Sequence, residues 1–468
     1  MKNMTLANIA AACGGTYYGT EADREKVIAG AVIDSRLVEQ DYLFIPIKGA
    51  RVDGHDFIPA VFENGALAVL SERELEQAAG PYILVESCEA AMKKLAKFYR
   101  QSLDIKVVGI TGSVGKTSTK EMIASVLAQK YNVLKTEGNF NNEIGLPLTI
   151  FKIREEHEVA VLEMGISDFG EMHRLAEMAN PDVSVITNIG LCHLENLIDR
   201  DGILRAKTEC FEHMTVNGVA VLNGDDDKLC TKTQVNGRET VFYGIGKEAA
   251  TVESEAGKKE LATKHIYATD VEAIGMTGTK ATIHIGEEAF SVEIPIAGEH
   301  NVYNALAAVA VARELGLIIS EMKRGIESVQ TIGGRSNLIH TNGLTIIDDC
   351  YNANPVSMKA SIDVLAKTEG RTIAVLGDMG ELGADEKALH YSVGEHFAGK
   401  GITMLMTAGV LSEEIAKAVK NCAPETTVRH FGAKEELISV LKETCEAGDT
   451  ILVKASHFMN FPEIVKAL

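Results

Sequence analysis

The sequence predicts an α/β protein of three domains, and three observations carry that expectation. Apolar runs bounded by turn residues (IKVVGI, EVAVLEMG, DVSVITNIG, NGVAVLNGDD) alternate with stretches at helical spacing, which is the pattern of a parallel sheet covered on both faces. The rhythm restarts beyond residue 330 with LTIIDDCY, RTIAVLGDMG, ITMLMTAG and DTILVKAS. A chain of 468 residues is also too long for one hydrophobic core.

Taken in order, MKNMTLANIAAACGG reads as a short amphipathic helix. Strands at DYLFIPI, ALAVL and PYILV and the helix EAAMKKLAKFYRQSL complete a mixed α/β domain over residues 1–103. A central domain, 104–329, opens with IKVVGI, a glycine turn and the helix KTSTKEMIASVLAQK. A C-terminal, Rossmann-like domain spans 330–468. In SVQTIGGRSNL, Gly333 and Gly334 are expected to break the preceding helix and act as a hinge.

Composition narrows the function. Against 66 acidic residues stand 46 basic ones, a net charge of −20. That argues against a general nucleic-acid or membrane-surface binder, which needs a positive field, but not against anionic small molecules held locally. The eight cysteines form no C-x-x-C pair and read as free thiols in a reducing compartment. No stretch approaches the ~20 apolar residues of a membrane span, and no signal-peptide core is present, so a cytoplasmic protein is expected.

The stretch GITGSVGKTSTKEM departs from the standard G-x-x-x-x-G-K-[ST] loop, because Ile110 stands where the first glycine would be. Gly112 and Gly115 still let the amides of Ser113 to Ser118 turn inward. Lys116 can reach the β and γ phosphates, and the Thr117 hydroxyl suits Mg²⁺. No N-K-x-D motif for guanine follows. Glu163 ends the next apolar strand, where a Mg²⁺ ligand would lie. His193 lies just past another strand end; on its own it reads equally as a partly buried packing residue. Lys207, by itself, reads as a surface helical lysine.

With these residues in place, the chain resembles the Mur ligases, the ATP-dependent amide-forming family of peptidoglycan precursor synthesis. The likeness spans essentially the whole sequence, through TGSVGKTSTKEM, TEGNFNNEIGLPLT, EMGISDFGEMHRL, NIGLCHLENL, GEHNVYNALAA, IIDDCYNANPVSM and LGDMGELG in the family's order. It implies a UDP-substrate-binding N-terminal domain, a central P-loop ATPase-type domain and a Rossmann-like C-terminal domain.

The resemblance further implies ATP, two Mg²⁺ ions and a carbamylated Lys207 that joins Glu163 and His193 as metal ligands, with Thr117 near the first ion. His300, Asn301 and Asn304 would lie near the adenine, though a helix cap and packing Asn remain an alternative. Arg335 would reach the phosphates and Asp349 the ribose. Asp34, Ser35 and Arg36 would hold the uridine diphosphate, or form only a surface turn with an ion pair. Asn139 and Asn142 would face the muramoyl side, and Tyr351, Asn352 and Asn354 the dipeptide side.

The partners implied are UDP-N-acetylmuramoyl-tripeptide and D-alanyl-D-alanine, with a monomeric enzyme and no nucleic acid. YNANP lacks the arginine of the D-N-P-R motif, which favours the dipeptide-adding ligase over a sister enzyme adding a single amino acid. The sequence leaves open whether the tripeptide ends in lysine or meso-diaminopimelate. Val114, Cys192, Thr208 and His457 depart from the family's pattern, and His457 stands where an arginine is expected.

Overall fold

The computed structural model describes residues 1–247, 252–254, 257–259, 263–331 and 333–468. The N-terminal helix Leu6–Cys13 forms as its ends dictate. The Thr5 hydroxyl accepts the Asn8 N–H, and Gly14 closes the last turn at φ 69°. It packs near a five-stranded sheet ordered Thr16–Tyr18, Tyr82–Leu84, Ala68–Ser71, Tyr42–Phe44 and Gly30–Val32, parallel except for the first strand.

Helix Cys88–Gln101 joins this unit to the next. Its Ala91, Met92, Leu95, Ala96 and Tyr99 are buried, the Tyr99 hydroxyl donates to the Ile153 carbonyl at 2.5 Å, and Arg100 Nε donates to the Ala179 carbonyl at 3.1 Å. One apolar cluster therefore runs from Met4 through to Phe242, so the first sheet and one face of the second share a core.

The second sheet has nine strands. Six of them, Val133–Lys135, Val159–Glu163, Lys106–Thr111, Val183–Ile186, Val219–Asn223 and Val241–Ile245, run parallel in that spatial order, as expected for buried apolar runs. Ile266–Ile274 adds a seventh parallel strand, then pairs antiparallel with Gly278–Ile285, and that strand with Glu288–Ile294. This antiparallel extension was not anticipated; its strands alternate buried and exposed residues instead of forming continuous apolar runs. Helix His300–Glu314, buried along almost its whole length, covers the second face together with Lys116–Leu127.

The third sheet orders Asn337–Thr341, Leu344–Asp348, Thr450–Lys454, Thr372–Gly377, Met404–Ala408 and Thr427–Phe431, parallel except for the first strand, with apolar clusters on both faces. The helix before it ends at Glu327, well short of Gly333, so the glycines do not break it. Gly334 (φ 78°) instead packs against Tyr351, and Ile332, within the expected hinge, lies outside the described residues. Among the described residues, all eight cysteines are free thiols and no helix is long and apolar enough to cross a membrane.

Candidate active site

Parallel strands bring their carboxyl ends to one edge, and here two such edges face one cleft. From the central sheet come the loop after Lys106–Thr111, Glu163, the stretch Thr187–Leu191 and Asp225 to Asp227. From the third sheet come Asp349 to Asn354, Glu381, Lys454 and His457. The cleft encloses 940 Å³, ample for a nucleotide beside a second substrate.

The phosphate loop is bolted to the neighbouring strand end. Gly112 sits at φ 148°, and a Cβ there would lie 1.9 Å from the Thr187 hydroxyl. Asn188 holds both backbone groups of Val114: its Oδ1 accepts the N–H at 3.0 Å and its Nδ2 donates to the carbonyl at 3.0 Å. Ser113 Oγ accepts the Gly190 N–H at 2.9 Å. Gly115 (φ 83°) caps helix Lys116–Leu127, whose positive end faces the cleft. Lys116 Nζ folds back onto the Gly112 carbonyl at 2.9 Å, where an arriving phosphate would replace a neutral acceptor. Val114 takes part through its backbone, so its departure from the family's asparagine leaves the cradle intact.

Glu163 is only 2 % exposed, yet its carboxylate is met by polar groups. Oε2 accepts the Thr117 hydroxyl at 2.8 Å, Oε1 accepts Asn141 Nδ2 at 2.8 Å, and Lys120 Nζ lies 3.9 Å away. A buried carboxylate beside a hydroxyl, at the carboxyl edge of a sheet and open to the cleft, is an oxygen donor set that fits Mg²⁺. Asn141, which the sequence reading did not single out, makes this contact; Asn139 and Asn142, expected on the muramoyl side, line the cleft nearby, and Asn142 Oδ1 caps the following turn by accepting the Gly145 N–H at 2.8 Å.

His193 (φ 50°) lines the cleft and pairs across it through Nδ1 with Glu381 Oε2 of the C-terminal domain at 2.7 Å. Glu381 too is left-handed (φ 61°), and the hydrogen bond with His193 holds its carboxyl below the usual range. Lys207 is 1 % exposed and does not line the cleft. Burial, helped by the Lys116 charge, lowers its ammonium to about 8. It is no surface lysine: helix Arg200–Thr208 turns it inward.

Other expected residues divide. His300, Asn304, Arg335, Asp349, Tyr351, Asn352 and Asn354 all line the cleft. Asn301 accepts the Asn304 Nδ2 proton at 2.9 Å, donates to the Ala297 carbonyl at 2.8 Å, and lines a small pocket with Ser118, His300 and Arg335. The Asp349 carboxylate is held by Lys454 at 2.6 Å and by the Ser361 hydroxyl at 2.5 Å. The Arg335 guanidinium lies 4.1 Å over the Tyr351 ring, which also meets His457 edge-on at 5.8 Å between centroids. Asp34, Ser35 and Arg36 stand outside this cleft, in a short turn where Arg36 grips Asp34 through Nη2 at 2.6 Å and holds its carboxyl down at about 2.

Sequence reasoning passed over Asn188, Asn141, Arg200 and Lys454, all in the cleft wall. Asn188 follows the strand Val183–Ile186 and Lys454 ends Thr450–Lys454, so strand-end position was the signal that could have found these two; Asn141 lies in the loop before Gly145–Ile150 and Arg200 opens helix Arg200–Thr208.

A P-loop variant joined to a second Rossmann-like sheet, with a buried carboxylate beside the loop threonine, defines an ATP-dependent ligase, and the chain belongs to the Mur ligase family. Family descriptions match along its length: "Mur ligase family, catalytic domain" over residues 27–100, "Mur ligase middle domain" over 110–312 and "Mur ligase, glutamate ligase domain" over 334–457. UDP-N-acetylmuramoyl-tripeptide–D-alanyl-D-alanine ligase of Bacillus subtilis (strain 168) is 40% identical, with 100% of this chain and 99% of the relative covered. The enzyme of the same name from Escherichia coli (strain K12) is 32% identical over 100% and 99%. The crystal structure of MurF from Acinetobacter baumannii superposes with a TM-score of 0.86 at 30% identity, covering 99% of this chain and 98% of that one. MurF from Thermotoga maritima in complex with ADP gives 0.80 at 31%, covering 94% and 96%.

Proposed function

We propose that this enzyme joins the amine of D-alanyl-D-alanine to the terminal carboxylate of UDP-N-acetylmuramoyl-tripeptide at the expense of ATP, as a soluble monomer of the cytoplasm. The observation that carries the reading is the single cleft lined at once by the phosphate loop, the Thr117–Glu163 pair and the Arg335–Tyr351 wall. Full-length relatives bearing that substrate pair in their names support it. A sister ligase adding one amino acid has no such support: the diaminopimelate ligase structure is 17% identical and shares the fold alone.

A carboxylate is a poor acylating agent, so phosphorylation must first supply a leaving group. The carboxylate oxygen attacks the γ-phosphorus and ADP departs; the dipeptide's amine then attacks the acyl carbon and phosphate leaves with the former carboxylate oxygen. Lys116 and the amides of Ser113 to Ser118 hold the phosphates and neutralise charge as two anions approach. Magnesium, held at Thr117 and Glu163 with His193 and Lys207 completing a second position, would add further electrostatic stabilisation. Arg335 closes over the phosphates. Asp349, fixed by Lys454, takes the ribose hydroxyls, while His300, Asn301 and Asn304 lie by the base. Asn139, Asn141 and Asn142 face the muramoyl side, and Tyr351, Asn352 and Asn354 the dipeptide. Asp34 to Arg36 hold the uridine diphosphate on the N-terminal domain.

Lys207 serves as a carbamate. With its ammonium lowered to about 8, a useful fraction is the neutral amine that CO₂ needs, and a cation would repel the metals it is meant to hold. Lys207→Ala should lose activity by at least ~100-fold and recover part of it with a short carboxylic acid, since one oxyanion-stabilising contact is worth about that much; unimpaired turnover would refute the role.

The overall assignment is checked by phosphate release from ATP and Mg²⁺ with UDP-N-acetylmuramoyl-tripeptide. Release should require D-alanyl-D-alanine. Release driven by a single amino acid would move the enzyme to a sister reaction, and no turnover with any pair would leave a nucleotide-gated binding protein.

A further inference from the structure

Outside the cleft, three side chains with metal-ligating atoms converge on another face. Helix Glu171–Ala179 carries His173, and the turn Glu209–His213 carries Glu212 and His213. One ligand atom from each lies within 4.8 Å of the others. His173 Nδ1 stands 3.0 Å from Glu212 Oε2, and His213 Nε2 stands 3.2 Å from His173 Nδ1. A zinc ion with ligands at about 2.0–2.1 Å in a tetrahedron separates neighbouring donor atoms by about 3.3 Å. Two of the three separations are already at that spacing.

The scaffold is set before any ion arrives. The Glu209 carboxylate accepts the Gly170 N–H at 3.2 Å and the His173 N–H at 3.1 Å, which docks the turn on the first turn of the helix. The neighbouring Lys97 is taken up by Glu177 at 2.7 Å and does not compete for Glu212. The two rings meet edge to face, with centroids 4.3 Å apart and planes at 76°, and His213 Nε2 also lies 3.3 Å from His173 Nε2, so a turn of the half-exposed His173 side chain would aim a ring nitrogen at a shared ion.

We propose that His173, Glu212 and His213 form a second metal site, selective for borderline divalent cations such as Zn²⁺, Co²⁺ or Ni²⁺, with water completing a four-coordinate shell. Two imidazoles and one carboxylate select these ions over Mg²⁺, which prefers oxygen alone. The ion would staple the helix that follows the loop after Glu163 to the turn that follows Lys207. It thereby clamps the two chain segments that lead from the cleft's own buried groups.

Untagged, chelator-stripped full-length protein titrated with Co²⁺ in the absence of ATP tests this. One equivalent should bind with the ligand-field absorption of a four-coordinate site and be displaced by Zn²⁺. His173→Ala/His213→Ala should lose that equivalent and the Zn²⁺-induced rise in Tm, while Glu163→Gln keeps both. The milder Glu212→Gln should weaken Co²⁺ binding by at least the ~10-fold that even a supporting contact contributes to a metal site. Failure of the wild type to bind Co²⁺, or an equivalent retained by the folded double variant, would overturn the proposal.

Discussion

Gly112 shows how one residue makes the loop possible. At φ 148° with Thr187 Oγ1 1.9 Å from where a Cβ would stand, nothing larger than hydrogen fits. Thr187 cannot retreat cheaply, because its hydroxyl donates to the Val114 carbonyl at 2.6 Å. Gly112→Ala should therefore push loop and strand apart, lower stability by about 1–3 kcal/mol and weaken ATP binding; urea unfolding and nucleotide titration check both. The same scale explains Ile110. It is fully buried in the strand, so the glycine of the standard motif has no turn to make there.

Among the elements, helix Glu386–Glu395 steadies the loop that carries Glu381. His390, fully buried, accepts the Met379 N–H through Nε2 at 2.8 Å, and its Nδ1 faces the Glu386 carbonyl at 2.6 Å. Burial lowers its imidazolium from the ordinary 6.5, so the ring is neutral in the fold while the unfolded chain takes up a proton near that value. Stability thus falls as pH drops through this region and levels off only below the lowered folded value. His390→Gln should cost about 1–3 kcal/mol near neutrality and narrow its deficit against wild type on going to about pH 5. A deficit independent of pH would show that His390 does not titrate on unfolding.

For the molecule as a whole, the N-terminal and central units share one apolar cluster, and the C-terminal unit meets the central one both through Ala297 and Met276 at its own apolar cluster and, across the cleft, through contacts such as His193–Glu381. With Glu381 63% exposed, that pair is worth about 0–1 kcal/mol. Glu381→Ala should shift the balance toward open forms by no more than about five-fold, visible as a larger radius of gyration in small-angle scattering without nucleotide. An unchanged profile would mean that other contacts hold the units together.

Local chemistry was legible in the chain. Continuous apolar runs specify buried parallel strands because both faces must be covered, and a glycine turn followed by lysine specifies an anion cradle. The Glu163–Thr117 pairing followed from the same strand-end logic. What the chain alone could not convey is which way a side chain faces once helices dock. Lys207 looks like a surface lysine until packing buries it. Asn141, not its neighbours, meets Glu163 because the turn before Gly145 aims it there. The His193–Glu381 contact and the His173–Glu212–His213 cluster join residues 188 and 39–40 positions apart in sequence. Periodicity reports how a segment meets water; only tertiary packing decides which segments meet each other.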